Sequence, residues 1–217
     1  MRKALFILIL FTSISTTVFA QTFLLKTPEI HIGASQGATA SMLYFAPAVK
    51  QDVLFGYNGG LLVRYTTEKG KALQVELNYS QRGWAEKENL YARRLDYLEL
   101  PFLMHLFWGE KTNFFFNLGP KVSFLLNESV LYNNAENSTM EQHTRDIYNL
   151  FDYGVTAGMG FQFLIKKQCF LLETRANFSL STAFSNNKRN YYGFSNNMNL
   201  ALNLAWLMRV NKRVYIQ

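Results

Sequence analysis

The 217 residues carry a formal charge of +7 and a near-neutral mean hydropathy, with 19 Phe, 12 Tyr, 3 Trp and one cysteine. The positive charge is spread thinly rather than gathered in a basic block, which argues against nucleic acid as a partner. Cys169 alone cannot form an internal disulfide and no Cys/His group has metal-ligand spacing, so no cofactor or metal is expected and the thiol is expected to pack.

The chain opens on a basic Met1-Arg2-Lys3, an apolar Leu5 to Phe11 and a small-residue cut site at Val18-Phe19-Ala20. That order predicts a signal peptide over 1–20 and a single mature domain over 21–217, with the charge falling from +7 to +5 once Arg2 and Lys3 leave. No cysteine follows the cut directly, which argues against a lipoprotein. Beyond residue 20 no run reaches the roughly 18 apolar residues of a spanning helix. An exported chain rich in aromatics then points either to a soluble β protein or to a transmembrane β-barrel.

In chain order, two weak alternating runs come first, at about 29–36 and 53–66. In the second, Phe55, Tyr57, Leu61, Val63 and Tyr65 oppose Gly56, Asn58, Gly60 and Arg64. "ALQVELNYSQ" then sets Leu73, Val75, Leu77 and Tyr79 against Gln74, Glu76, Asn78 and Ser80. "LDYLELPFLMHLF" sets Leu98, Leu100, Phe102, Met104 and Leu106, continued by Trp108, against Glu99, Pro101 and His105. A helix would break at Pro101, whereas a strand gives one wholly apolar face. Because proline removes a ladder donor, a bulge or local gap is expected there.

Four further runs repeat the period of two. "NFFFNLGPKVSFLL" has Phe115 as its exception, and "FDYGVTAGMGFQF" opposes aromatics to Asp152, Gly154, Gly158 and Gly160. "FLLETRANFSL" and "NMNLALNLAWLM" complete the set. Eight strands of about 10 to 14 residues suit membrane crossing better than the usual globular strand of about 5 or 6. The links alternate long and short: about 37–52, "TEKGK", "RGWAEKENLYA", "GEKTN", about 127–149, "KKQ", and "AFSNNKRNYYGFSN". Outer-membrane barrels sort their loops in this way. The fold expected is all-β, an eight-stranded antiparallel up-and-down transmembrane barrel.

Large apolar side chains would overfill a lumen of eight strands, so the apolar faces are assigned to lipid and the polar faces to the interior. Tyr79, Trp84, Trp108, Phe151, Phe163 and Trp206 are expected in interfacial girdles. Glu76, Glu99, Lys121, Glu173 and Arg175 then point inward as a structural network of paired charges, with Arg175 as hub because its planar fork can serve two carboxylates. His31, His105 and His143 are scattered, and His143 with Glu141 is assigned to a solvated loop surface. No hydrolase, zincin or P-loop motif occurs, so no catalytic, cofactor-binding or metal residue is nominated.

The ordered stretches "VELNYSQRGW", "LDYLELPFLMHLF", "NLGPKVSFLL", "FDYGVTAGMGFQF" and "ETRANFSLS" resemble the landmarks of the PorT-like outer-membrane β-barrel family, the "porin family" of Bacteroidota. The resemblance spans about residues 25 to 210 and implies an eight-stranded barrel with no assigned activity for most members. It also implies a last strand ending on an aromatic, whereas this chain runs on through "RVNKRVYIQ" with Tyr215 near its end.

Together these readings predict a small monomeric barrel in the bacterial outer membrane, its lumen largely plugged by side chains. Its role is structural, surface-interacting, or associated with envelope assembly and secretion. Its partners are outer-membrane lipids, the barrel-assembly machinery during biogenesis, and an envelope or extracellular protein met through the loops. The alternatives are a lipid-modifying enzyme or a small-solute pore on the same barrel.

Overall fold

The computed structural model describes residues 24–134, 141–144, 147–184 and 194–211. The signal peptide assigned to 1–20 and the terminal Tyr215 lie outside the described residues. Among the described residues the strands are β1 (Leu24–Ala46), β2 (Gln51–Asp52), β3 (Leu54–Glu68), β4 (Lys71–Glu86), β5 (Tyr91–Gly109), β6 (Thr112–Asn133), β7 (Phe151–Ile165), β8 (Gln168–Ser179) and β9 (Phe194–Arg209). Eight of them close a ring in which each pairs antiparallel with its sequence neighbours and β1 pairs with β9. The two-residue β2 only extends β4 beyond the ring. Closure leaves no sheet edge, the condition for a sheet that meets hydrocarbon.

The period of two sets the two faces. On β9, Met198, Leu200, Leu202, Leu204, Trp206 and Met208 are exposed, while Asn197, Asn199, Asn203 and Leu207 are buried. β7 does the same, with Tyr153, Val155, Met159, Phe161 and Phe163 outward and Asp152, Thr156 and Gln162 inward. Such an apolar outer wall far exceeds what a soluble monomer leaves exposed. It is the surface of a barrel solvated by lipid.

The connections sort by end. Turns at 69–70, 110–111 and 166–167 share one end with Leu24 and Arg209, while residues 47–53, 87–90, 134–150 and 180–193 connect at the other. The expected alternation therefore holds, but the strands are longer than the sequence suggested. β1 runs on through 37–46 because Gly37, Ala38, Thr39 and Ala40 are small on both faces and hide the alternation. β4 likewise continues through Arg82, Trp84 and Glu86, so the link read as "RGWAEKENLYA" shrinks to residues 87–90.

At Pro101 the β4–β5 ladder passes from Asn78↔Glu99 to Val75↔Phe102, leaving Leu100 and Pro101 without partners across it. The register does not shift, so the missing proline donor produces a gap rather than a bulge. The true register shifts on β5 lie higher, between Ala92 and Arg93 and between Asp96 and Tyr97.

Candidate functional site

The barrel interior is where the chain gathers its polar side chains, stacked along β4 from the short-turn end upward as Gln74, Glu76, Asn78, Ser80, Arg82, Trp84 and Glu86. Glu76, Glu99, Lys121, Glu173 and Arg175 are all buried inside. The structure divides them into two clusters rather than one network.

In the lower cluster Arg175 on β8 holds both carboxylates. Its Nη1 and Nη2 donate to Glu76 at 2.6 and 2.8 Å, and its Nη2 and Nε to Glu173 at 2.7 and 3.2 Å. The remaining acceptor capacity is filled by amides: Gln74 and Asn78 donate to Glu76 at 2.5 and 2.7 Å, and Asn117 donates to Glu173 at 2.8 Å. His105 Nδ1 donates at 2.7 Å to Oδ1 of Asn117, its register partner on the neighbouring strand, and extends the chain to β5. Gly158 on β7 makes room for it, because a Cβ there would collide with the Glu173 carboxylate.

The upper cluster is organised by Arg82, which lies in the stretch expected to be a connection. Its guanidinium pairs with Glu99 and with Asp152 at 3.0 Å, donates to Ser123 at 2.9 Å, and lies over the Tyr97 ring at 4.3 Å. Ser179 and Ser181 donate to Asp152. Lys121 Nζ is 3.6 Å from Glu99, an ion pair but too long for a hydrogen bond. The signal that finds Arg82 is parity, since it lies eight residues beyond Gln74 on the same face.

Above both clusters the lumen turns apolar. Leu43, Phe45, Trp84, Tyr91, Leu95 and Tyr97 pack inside the long-loop end with Ile147, Ala183 and Phe184 from the connections. Trp84 meets Phe45 edge-on at 5.7 Å and Phe184 at 6.0 Å between ring centroids. This corrects its assignment to a lipid-facing girdle, because the even parity that turns Gln74 and Glu76 inward carries Trp84 inward too. Trp108, Phe151, Phe163 and Trp206 are exposed on the outer wall as expected of girdle residues, and Tyr79 is half-buried.

His143 is also corrected. It is not solvated: its ring stacks on Tyr91 at 4.0 Å and its Nε2 lies 2.9 Å from Glu86, beside Gln142, which donates to the same carboxylate at 2.9 Å. Glu86 and Tyr91, at the long-loop ends of β4 and β5, hold the short segment 141–144 against the barrel. Glu141, its proposed neighbour, has no described side chain.

At the short-turn end Leu62, Phe115, Cys169, Leu171 and Leu207 form a small inner cluster in which the thiol is free and packed. Below it the barrel opens into a cavity of about 880 Å³. Among the described residues no group of three His, Cys, Asp or Glu side chains could hold a metal.

A family model described as outer membrane protein beta-barrel domain matches residues 19–185 of this chain. No curated protein matches it. Among solved structures, Neisserial surface protein A is 9% identical, with 85% of this chain and 99% of that one covered at a TM-score of 0.49. Ail, the attachment invasion locus protein of Yersinia pestis, is 12% identical with 83% and 99% covered and a TM-score of 0.44. OprG from Pseudomonas aeruginosa is 11% identical with 87% and 96% covered and a TM-score of 0.45.

Proposed function

We propose, from the premise that this chain belongs to the outer membrane protein beta-barrel domain family, that it is a non-conducting outer-membrane barrel acting through its long-loop end. The observation that supports this reading is the stacking of two arginine-centred clusters and an aromatic layer within the lumen. On this reading these paired, packed side chains fill the bore. Eight strands leave little room for a channel to begin with. What distinguishes such a protein is then the surface its connections present.

The long-loop end faces the extracellular medium and the short turns face the periplasm, as in other outer-membrane barrels. The chain works as a monomer, with its apolar wall solvated by outer-membrane lipids. It reaches its place through a signal peptide and the barrel-assembly machinery, and its loops meet an envelope or extracellular protein. The ordered landmarks from "VELNYSQRGW" to "ETRANFSLS" support membership of the PorT-like branch found in Bacteroidota.

Cysteine labelling in intact cells tests the orientation. In a Cys169→Ser background, Glu88→Cys should react with a membrane-impermeant thiol reagent in whole cells. Lys111→Cys should react only after the outer membrane is permeabilised. The reverse pattern would overturn the reading. Deletion within 134–150 should abolish binding of any surface partner without loss of the folded barrel.

A further inference from the structure

The short-turn cavity is lined by a buried arginine whose donors are not all used. Arg64 on β3 lines this cavity and is 3% exposed. Its Nε donates to Gln74 at 2.8 Å and its Nη1 to Gln162 at 2.9 Å, both neutral amides. Its Nη2 has no hydrogen-bond partner among the described residues. Glu76 and Glu173 are the carboxylates whose field reaches it. Their four oxygens already accept from Arg175, Gln74, Asn78 and Asn117. The Cys169 thiol lies beside the guanidinium, Gln74 links it to Glu76, and the two carboxylates against Arg175 alone balance its charge. What Arg64 lacks is an acceptor for Nη2, and a buried donor without one is costly.

The rim is cationic among the described residues. The three short turns contribute Lys69, Lys111, Lys166 and Lys167 to the cavity wall. Of the three acidic side chains there, Glu29 lies 3.7 Å from Arg209 and Glu68 lies 3.1 Å from Lys71, which leaves Glu110 against four lysines. Cationic mouths of this kind concentrate anions by focusing the field in a low-dielectric cleft. Asn113, 1% exposed and the register partner of Gln162, also turns an unpartnered Oδ1 toward this layer. It is an acceptor suited to a phosphate's own O–H or to a headgroup hydroxyl.

We infer that the short-turn mouth is a binding site for a phosphate-bearing ligand, with Arg64 as its inner contact and the turn lysines as its entrance. Arginine suits this role because its fork matches two phosphate oxygens at once. The ligand's source is either a free periplasmic phosphate or the headgroup of an anionic phospholipid. That the site faces the periplasm rests on the orientation proposed above.

The test uses the purified barrel in maltoside micelles, where orientation plays no part, so its outcome is independent of the labelling result in cells. Inorganic phosphate is titrated calorimetrically, and phosphatidylglycerol adducts are counted by native mass spectrometry. One saturable site is expected. Arg64→Gln should weaken it by about tenfold or more, and Lys111→Gln with Lys167→Gln by about threefold. A response to phosphate alone identifies a free solute. An Arg64-dependent lipid adduct identifies a headgroup. If neither ligand binds, or if Arg64→Gln binds as wild type does, the inference fails. Should Arg64→Gln not give a folded, heat-modifiable band, the rim double variant decides, and unchanged affinity there overturns the proposal.

Discussion

The two ends of the lumen handle buried polarity in opposite ways. Through the middle of the lumen, among the described residues, the arginines bond carboxylates directly: Arg82 has Glu99 and Asp152, and Arg175 has Glu76 and Glu173. Toward the short turns Arg64 bonds the amides of Gln74 and Gln162 beside the Cys169 thiol, reaches Glu76 only through Gln74, and keeps Nη2 without an acceptor. Among the described residues of the rim the lysines outnumber their counter-charges. Aromatics pack together in the upper half, while a cavity lies in the lower half. Direct ion pairs go with tight packing in the one region, and an unused donor goes with open volume in the other.

The comparison breaks most visibly if its paired half is unpaired. Arg82→Ala leaves Glu99 and Asp152 facing each other without their cation, a loss of about 3–5 kcal/mol for breaking a buried pair. It should lower the temperature at which the heat-resistant gel band disappears. Arg175→Ala should act similarly through Glu76 and Glu173, and the account is wrong if both variants melt like the wild type. Trp84→Ala removes the centre of the aromatic layer and should cost about 3 kcal/mol. It should also increase chloride or dye leakage through reconstituted vesicles, which a purely lipid-facing tryptophan would not do.

Leu202→Arg probes the outer wall instead. A cation at the lipid midplane costs about 2–4 kcal/mol. The variant should fold less efficiently into bilayers, yet Asn203→Ser beside it, on the inner face, should fold normally. Lys111→Gln is the mildest change. It should leave the melting temperature unchanged while reducing anion binding at the mouth, and a large stability loss would assign the lysine a structural role instead.

The barrel itself was legible because its strands carry strong contrast between faces. Leu98, Phe102, Met104 and Trp108 against Glu99, Leu103 and His105 settle both the strand and the side that meets lipid. Contrast also explains what was missed. Residues 37–40 are small on both faces, so the extension of β1 left no signal. Trp84 was assigned by residue type, aromatic near a strand end, when its parity pointed inward.

The site was legible in part. Parity places Glu76, Glu99, Lys121, Glu173 and Arg175 inside, but it carries no height along the barrel and no stagger between strands. For that reason it could not tell that Glu99 and Lys121 belong with Arg82 rather than with Arg175. The partnership of Asp152 with Arg82 spans 70 positions and exists only once the sheet closes. His143 was read as solvated because a polar loop carries no local sign that Glu86 and Tyr91 wait for it across the mouth.

Single-channel recording in planar bilayers tests the central claim most directly, since it reads whether the paired clusters and aromatic layer close the bore. The wild-type barrel inserted in molar KCl should give a flat baseline, with conductance steps emerging only when Trp84 and Arg82 are replaced by alanine together. Discrete ohmic steps from the wild-type protein would contradict the account.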